Sequence, residues 1–242
     1  MRFRIAAKIF EDFPEVRIGV VTAHGLDNHG GDPAITSQVR EAETALVESF
    51  REGNVTEHPR IAPWREAYRK FGAKPKKHLS SIESLARRAL KGDTLRSINK
   101  LVDIYNVVSL RHIVPVGGED LDRIEGDIVL IRASESEAPV KLLGEVEERP
   151  PAAGEVIYRD DRGAICRRWN WKEADRTKLT EDTRRAVLVI ESLPPVGPVP
   201  PRGSIELERA VEELAELIQR HCGGETVTTI LDRKHPETGL DL

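Results

Sequence analysis

The sequence contains little that would cross-link the chain or anchor it in a membrane. Its 242 residues include two cysteines, Cys166 and Cys222, which form no close pair and lie outside any Cys/His ladder of zinc spacing. No run of eighteen apolar residues occurs, and the N-terminus lacks the unbroken apolar stretch of a secretory signal. These absences predict a cytoplasmic protein that has no membrane partner.

Several common catalytic motifs are also missing. No G-x-G-x-x-G follows a predicted strand, and neither G-x-x-x-x-G-K-[ST] nor G-x-S-x-G occurs. We therefore expect no cofactor. The acids and histidines His24, Asp27, His29 and Asp32 could ligate a metal, but they lie in a glycine-rich loop without a fixed scaffold. We expect no metal site there.

One thiol has chemistry that the sequence leaves open. Cys166 begins the segment CRRWNW, and the two arginines that follow it could lower its pKa. A structural cysteine at the start of a strand is the favoured interpretation.

The predicted elements favour an α+β fold, because helices cluster in the first half and strands in the second. Strands are expected at 3–10 and 16–23, and helices at 35–51, from Pro63, from a Ser80–Glu83 capping box, and at 97–111. We expect one domain, 1–242: N-terminal strands with a basic helical part (about 1–111), a mainly β core (about 112–192), a proline-rich connector (193–203), and a C-terminal helix and strand (204–231). The charged end beyond it should be frayed.

Charge is distributed unevenly along the chain. The formal net charge is −4, but the segment from Arg65 to Lys100 has eleven Lys or Arg against three acids. Such a segment is either a solvated helical face or a surface that binds a polyanion. The candidate contacts are Lys74, Lys76, Lys77, Arg87, Arg88 and Lys91.

Polar residues between Leu95 and Gly126 suggest a pocket. Asp103 and Asn106 are three residues apart and share a helix face beside the apolar stripe. Asparagine is a poor helix former, so Asn106 is either bonded to a neighbouring loop or lines a pocket. Gly117 and Gly118 follow the helix, and their missing side chains would let a ligand approach the backbone N–H groups.

A single acid ends an apolar strand further along. Glu191 follows the segment AVLVI, and an acid in that position is either paired with a cation or used in the function. Arg96 is one candidate partner, but the sequence alone does not bring the two residues together.

The segment Leu95 to Glu191 resembles the tRNA-editing module, the B3/B4 domain, of the phenylalanyl-tRNA synthetase β-subunit. That family has a run close to R-S-I-x-x-x-V-D-x-x-N-Y-V followed by D-x-D-R-I-E-G. The matching residues are Arg96, Ser97, Ile98, Val102, Asp103, Asn106, Asp120, Asp122, Arg123, Ile124, Glu125 and Gly126. Freestanding versions of the module are similar over nearly the whole chain, including PWREAYRKFGAKPKKHLSSIESLARR and CRRWNW.

The resemblance implies an α+β fold with an unusual β-sandwich core flanked by helices. It also implies hydrolysis of the ester of a mischarged tRNA, which in the synthetase is tyrosine joined to the phenylalanine tRNA. The family arginine and glutamate fall on Arg96 and Glu191, and its loop histidine falls on Gly117. Because of that glycine, and because Trp169 and Asn170 replace pocket glycines, this pocket should differ in shape, and the amino acid stays undetermined.

The roles implied for an ester hydrolase fall on named residues. Arg96, Glu191, Gly117 and Gly118 are the predicted catalytic residues, with the glycine N–H groups as oxyanion donors. Asp103, Asn106, Trp169 and Asn170 are predicted to bind the substrate.

Three functions remain open from the sequence. The first is a trans-acting deacylase of mischarged tRNA, for which the basic segment would bind tRNA rather than DNA. The second is a binding module for tRNA or an amino acid without turnover, and the third is an accessory subunit of a synthetase.

Overall fold

The computed structural model describes residues 1–50, 53–196 and 207–241. The helices are α1 (Ala7–Asp12), α2 (Pro33–Ser49), α3 (Ala62–Lys70), α4 (Ser81–Leu90), α5 (Lys100–His112) and α6 (Leu207–Cys222). The strands are β1 (Arg2–Ile5), β2 (Arg17–His24), β3 (Val116–Asp120), β4 (Ile128–Arg132), β5 (Val140–Lys141), β6 (Glu148–Arg149), β7 (Val156–Arg159), β8 (Ala164–Arg167), β9 (Lys172–Glu173), β10 (Arg185–Ser192), β11 (Glu225–Leu231) and β12 (Glu237–Gly239).

The strands form two main sheets and a short hairpin. One sheet has the order β12-β1-β4-β7-β8-β9, the other has the order β11-β2-β10-β3, and β5 pairs with β6. Residues of both main sheets join one apolar core, in which the ring of Phe3 on β1 contacts that of Tyr158 on β7. The α+β class and the two-sheet core predicted from the sequence are confirmed.

The strand β2 lies inside its sheet between β11 and β10. All six of its inner residues are buried, as the nearly continuous run of Val and Ile predicts for a strand covered on both faces. Gly19 lets α6 pack directly onto β2, because an added Cβ there would lie 2.2 Å from Val211.

Of the helices α4 and α5, α4 begins where the sequence predicts its cap and α5 begins later. Ser80 Oγ accepts a hydrogen bond from the Glu83 N–H at 3.3 Å, as a capping box requires. Asn99 caps α5 by accepting from the Val102 N–H at 3.0 Å, so that helix begins three residues later than the predicted Ser97.

Two predictions at the ends of the chain are wrong. The expected strand 3–10 stops at Ile5, and α1 follows, since Ile9, Phe10 and Phe13 can then be buried together. The expected frayed end instead forms β12, which pairs antiparallel with β1 and buries Leu240.

Part of the predicted organisation lies outside the described residues. This concerns most of the proline-rich connector and the expected first turn of the last helix, which together fall on 197–206. In the part of the chain that the structure describes, no helix has the length and apolar character needed to cross a membrane.

Candidate active site

A cavity of about 250 Å³ lies between the two main sheets. Side chains alternate across a strand, so residues two apart share a face. On β3 that rule turns Gly117 and Glu119 toward the cavity, and on β10 it does the same for Val187, Val189 and Glu191. The opposite sheet and α4 contribute Phe3, Ile128, Tyr158, Ile165, Ser81, Ser84 and Leu85, and further lining residues come from α5 and from the segment that follows β8.

Glu191 is held at one end of this cavity by a buried network. The Tyr158 hydroxyl donates to Glu191 Oε1 at 2.6 Å, and Asn170 Nδ2 donates to Oε2 at 2.7 Å. The Tyr68 hydroxyl in turn donates to Asn170 Oδ1 at 2.9 Å. Glu191 is 2% exposed and has no cation among these partners, so the candidate pairing with Arg96 is not formed.

Burial raises the pKa of Glu191 to about 7, because the charged carboxylate is removed from water. The hydrogen bonds from Tyr158 and Asn170 oppose this shift, and the negative charge of Glu173 adds to it. The Trp169 indole N–H lies close enough to lower this pKa, although it makes no hydrogen bond of ordinary geometry. A carboxyl group that titrates near neutral pH can both accept and donate a proton.

A strained turn delivers Asn170 to Glu191. Arg168 and Trp169 both have left-handed backbone, with φ of 48° and 66°. Such conformations are costly for residues with side chains, and they persist where the surroundings hold them. Trp169 is fully buried with its ring edge-on to Phe13 and Trp64, which holds the turn. It forms the cavity wall and does not fill the space.

The two glycines serve different purposes. At Gly117 an added Cβ would lie 2.9 Å from Glu173 Oε1, so the missing side chain makes room for that carboxylate. At Gly118 a Cβ would lie 3.1 Å from both the Leu188 side chain and the Val187 carbonyl, so the chain there is tightly packed. The Gly118 N–H donates to Glu173 Oε1 at 3.3 Å, and this predicted oxyanion donor is therefore engaged by a carboxylate.

Glu119 and Glu173 form a second acidic group of the cavity wall. Burial raises the pKa of Glu173 to about 7, against the opposing hydrogen bond from Gly118. Burial and the charge of Glu173 hold the pKa of Glu119 well above its usual range. Thr177 lies close enough to lower the pKa of Glu119, but no hydrogen bond of ordinary geometry reaches Glu119 Oε2.

Asn106 lines the cavity, as one of its two predicted interpretations requires. It is half-buried, and no hydrogen bond joins its side chain to any residue that the structure describes. It also lines a narrow cleft on its other side, where Arg96 and Asp103 lie. Arg96 is exposed there and does not line the main cavity.

Asp103 supports the segment that carries Arg96. Its carboxylate accepts from the Ser97 hydroxyl at 2.5 Å and from the Ile98 N–H at 3.2 Å. Burial raises the pKa of Asp103, and these two hydrogen bonds oppose the shift. The prediction that Asp103 binds substrate is untested, and any such contact would compete with these bonds.

The basic segment borders the cavity along α4. Ser84 and Leu85 line the cavity, and Arg88 continues the same helix face to an exposed position. The ring of His78 packs edge-on against that of Trp171, with 4.6 Å between the ring centroids. Because Trp171 lines the cavity, this contact brings the segment Lys74–Lys77 close to the cavity wall. Of the six predicted tRNA contacts, five are exposed: Lys74, Lys76, Lys77, Arg88 and Lys91.

Arg87, the sixth predicted tRNA contact, is already bound to an acid of the protein itself. Its guanidinium binds the Glu83 carboxylate at 2.8 Å, and Arg65 binds the same oxygen at 2.6 Å. Glu83 is fully buried, so these two arginines compensate its charge and join α3 to α4.

The structure separates the residues of the glycine-rich loop. Asp32 caps α2 and pairs with His221 at 2.7 Å, whereas the Asp27 carbonyl accepts from Lys100. His24 and His29 face other partners, and the described residues contain no group of three or more side chains suited to a metal ion.

Cys166 is a buried residue of the cavity wall. Burial and the charges of the three nearby glutamates raise the pKa of its thiol well above the usual range, so the arginines that follow it do not activate it.

Sequence reasoning missed several residues of this site. Glu119 could have been found, because it is two residues after Gly117 in a segment that reads as a strand. Trp171 lies in the quoted CRRWNW segment. Tyr105 is the neighbour of Asn106 on the predicted helix. The sequence contains no signal for Glu173 and Tyr158, since distant elements bring them to the cavity.

Comparison with known proteins identifies relatives. Residues 63–197 match the model of the B3/4 domain. A 157-residue stretch is 31% identical to the phenylalanine–tRNA ligase beta subunit of Leifsonia xyli subsp. xyli, covering 58% of this chain and 18% of the relative. A 123-residue stretch is 32% identical to the same subunit of Psychrobacter arcticus, covering 47% and 15% respectively.

The chain thus matches less than a fifth of the length of these curated relatives. An N-terminal fragment of the phenylalanyl-tRNA synthetase beta-subunit from Pyrococcus horikoshii shares 13% identity, with a TM-score of 0.46 over 94% of this chain and 53% of the fragment. The resemblance predicted from the sequence is confirmed by the family model and the sequence matches. Because the family model covers more than half of its residues, this chain belongs to the B3/4 domain family.

Proposed function

We propose that this protein binds the 3′ end of tRNA and hydrolyses, in trans, the ester of a mischarged aminoacyl-tRNA. The observation that carries the proposal is the cavity itself, in which Glu191, Asn106 and the glycine pair meet beside a helix with exposed cations. The aminoacyl ester is a labile bond, so the protein needs mainly to position it together with a water molecule.

Glu191 is the proton-transfer group of the proposed reaction. Its pKa of about 7 lets the carboxylate orient or deprotonate a water near neutral pH. The hydrogen bonds from Tyr158 and Asn170 fix the orientation of the carboxylate, and each leaves its oxygen with a lone pair that can accept from a water molecule.

The amide of Asn106 and the backbone N–H groups are the donors available to the substrate carbonyl. The Gly118 N–H can reach an oxyanion only after it leaves Glu173 Oε1, which it contacts in the unliganded protein. Arg96 lies in the narrow cleft on the other side of Asn106. There its guanidinium can bind a ribose or a terminal phosphate outside the main cavity.

The exposed cations Lys74, Lys76, Lys77, Arg88 and Lys91, which we call the basic surface, supply the tRNA contact. Arg87 adds to their potential while bound to Glu83. The named function of the curated relatives, phenylalanine–tRNA ligation, also involves tRNA.

A non-catalytic binding module is the alternative. It is favoured by the engagement of the Gly118 N–H with Glu173, which leaves the predicted oxyanion site incomplete. In that case the same cavity would bind an amino acid or a tRNA end without turnover.

The deciding experiment incubates the protein with a panel of correctly and wrongly charged tRNAs and follows loss of the ester. We expect acceleration for at least one mischarged pair, and loss of that acceleration in Glu191→Ala and Arg96→Ala. Arg162→Ala is the matched control, since Arg162 is exposed and pairs with Glu125. Circular dichroism and thermal unfolding check that each variant folds.

If the protein accelerates loss of the ester for none of the charged tRNAs, the proposed deacylase activity is excluded. Ester lifetimes that stay unchanged in both site variants, with weaker tRNA binding, would establish the binding module instead.

A further inference from the structure

We propose that the cavity selects an aminoacyl group with a positively charged side chain, which binds between Glu119 and Glu173 while the reacting end lies near Glu191. This inference rests on the proposed function and adds the substrate class to it. We call Glu119 and Glu173, which would bind the positive charge, the acidic pair.

The acidic pair lacks a cation of its own. The cations on the neighbouring turns are paired with other acids: Arg176 with Asp160, Lys172 with Glu145 and Lys178 with Asp175. Among the described residues, neither member of the acidic pair has an ion pair, although burying an uncompensated carboxylate is costly. Burial raises the pKa of both carboxyls despite the charge of Arg176 near Glu119, so the empty cavity favours their protonated forms. A cationic ligand would stabilise the ionised forms instead.

The acidic pair also has an unused acceptor. Glu119 is 7% exposed, and its Oε2 atom is buried without a hydrogen bond. The Ser81 hydroxyl on the α4 side of the same cavity is likewise buried and unpartnered. Buried polar groups are normally satisfied, and both residues line the cavity, so a ligand there can supply the missing partners once these side chains turn toward it.

Gly117 explains why the charge lies at this place. The Glu173 carboxylate occupies the space into which a side chain at position 117 would project, since its Oε1 atom lies 2.9 Å from the point that a Cβ there would take. Any larger residue at 117 would push this carboxylate away from the cavity. The glycine therefore leaves room for an ionisable carboxyl in the wall as well as removing a side chain.

The spacing along the strands fits an aminoacyl group. Gly117 pairs with Val189, and Glu191 is two residues further along β10, or about 7 Å at the usual rise per residue. A lysine-like stem of about four carbons can span that separation. Val187, Val189, Tyr105 and Trp171 line the cavity with apolar and aromatic surface suited to such a stem.

The test measures binding of two small probes by calorimetry. Lysinamide and norleucinamide share the α-ammonium group and the four-carbon stem, and only lysinamide has the terminal ammonium. We expect the wild-type protein to bind lysinamide roughly tenfold or more tightly than norleucinamide. Glu173→Gln and Glu119→Gln should each reduce this preference severalfold, because each replaces a carboxyl that can ionise beside the bound ammonium with a neutral amide of the same shape.

Glu147→Gln is the control, since this carboxylate is exposed and pairs with Arg149. It should leave the preference unchanged. If Glu119→Gln does not fold, the half-buried Glu173 still decides the question. Equal or weaker binding of lysinamide, binding of neither probe, or a preference that survives both glutamine variants would overturn the inference.

Parallel binding and hydrolysis assays distinguish failure of this inference from failure of the proposed deacylase activity. Lysinamide preference without hydrolysis of any ester would refute the deacylase and keep the cation-selective cavity. Hydrolysis of esters of amino acids with neutral side chains, without a preference for lysinamide, would support the deacylase activity and refute the cation selectivity.

Discussion

Three glutamates, Glu119, Glu173 and Glu191, face one cavity, and each is harder to ionise than a glutamate in water. The cause in each case is mainly burial, and the negative charge of Glu173 raises the pKa of Glu119 and Glu191 further. The protonation state of these carboxyls therefore couples the cavity to the stability of the fold.

Glu173 should make the protein less stable as the pH rises. Its pKa is about 7 in the folded protein, against 4.5 for the free side chain. Between those values Glu173 keeps its proton in the folded state and releases it in the unfolded chain, so its contribution to the free energy of unfolding falls from about pH 4.5 to about pH 7. We expect Glu173→Gln to reduce this fall in urea unfolding measured across that range, and to be more stable than the wild type at pH 8.

The exposed Glu147→Gln is the matched control, with an unchanged pH profile. The slope that remains in Glu173→Gln belongs to the other groups with shifted pKa values, among them Glu119, Glu191, Asp103 and His58. Identical profiles for the wild type and Glu173→Gln would mean that Glu173 is not held as the structure places it.

Asn106 illustrates what a sequence can say about one residue. An asparagine inside a helix had two interpretations, a bond to a loop or a place in a pocket. The structure leaves its side chain without a hydrogen bond to described residues and puts it between the cavity and the Arg96 cleft. The choice depended on which neighbours the fold brings near, and these are remote in sequence.

At the scale of elements, the ion pairs of Glu83 join α3 to α4 and so position the basic surface. Glu83 is fully buried, and the Arg65 side chain is only 11% exposed. The capping box predicted the N–H contact of Ser80 correctly, but the Glu83 side chain turns to the arginines.

Glu83→Gln should therefore destabilise the protein by about 3 kcal/mol, because it leaves a buried arginine without its counter-charge. Urea unfolding at neutral pH measures the loss. Glu66→Gln, an exposed acid on α3, is the control and should change stability by less than about 0.5 kcal/mol. A loss as small as that of the control would show that solvent compensates Arg65.

Strand alternation is the element-level rule that located much of the cavity. Once Val116–Asp120 is recognised as a strand, Gly117 and Glu119 must share a face, and the same holds for Val187, Val189 and Glu191. The rule says which residues point the same way. It does not say that β8, β9 and α4 close the space in front of them.

At the scale of the whole molecule, the charge is segregated. The segment from Arg65 to Lys100 carries +8 in a chain of net charge −4, so the remainder is acidic. Such a field attracts a polyanion to one region and repels it elsewhere.

This arrangement predicts how tRNA binding depends on salt. Replacing Lys74, Lys76 and Lys77 with glutamine should weaken tRNA binding and reduce the slope of log K against log salt concentration. The reduction should be roughly 0.7 to 0.9 for each phosphate that the protein no longer neutralises. Filter binding at several salt concentrations measures the slope. Replacing the exposed Arg233 and Lys234, which lie outside the basic surface, should leave it unchanged. Equal slopes for both variants would contradict tRNA binding by the basic surface.

The sequence by itself determined the α+β class, the helices from Pro63 to Arg111, the buried strand β2, the concentration of positive charge and the family. These properties follow from local spacing, capping and composition, which are written along the chain. The secondary structure predicted from the sequence was wrong at residues 7–10 and at the C-terminal end. There Ile9, Phe10 and Leu240 are buried by contacts with distant strands.

Only the tertiary structure decided the composition of the cavity. Glu173 comes to Gly118 from 55 positions away, Tyr158 reaches Glu191 across the two sheets, and Arg96 is turned into a separate cleft. These placements depend on how the sheets face each other, and sheet packing joins residues whose separation in sequence carries no periodic signal.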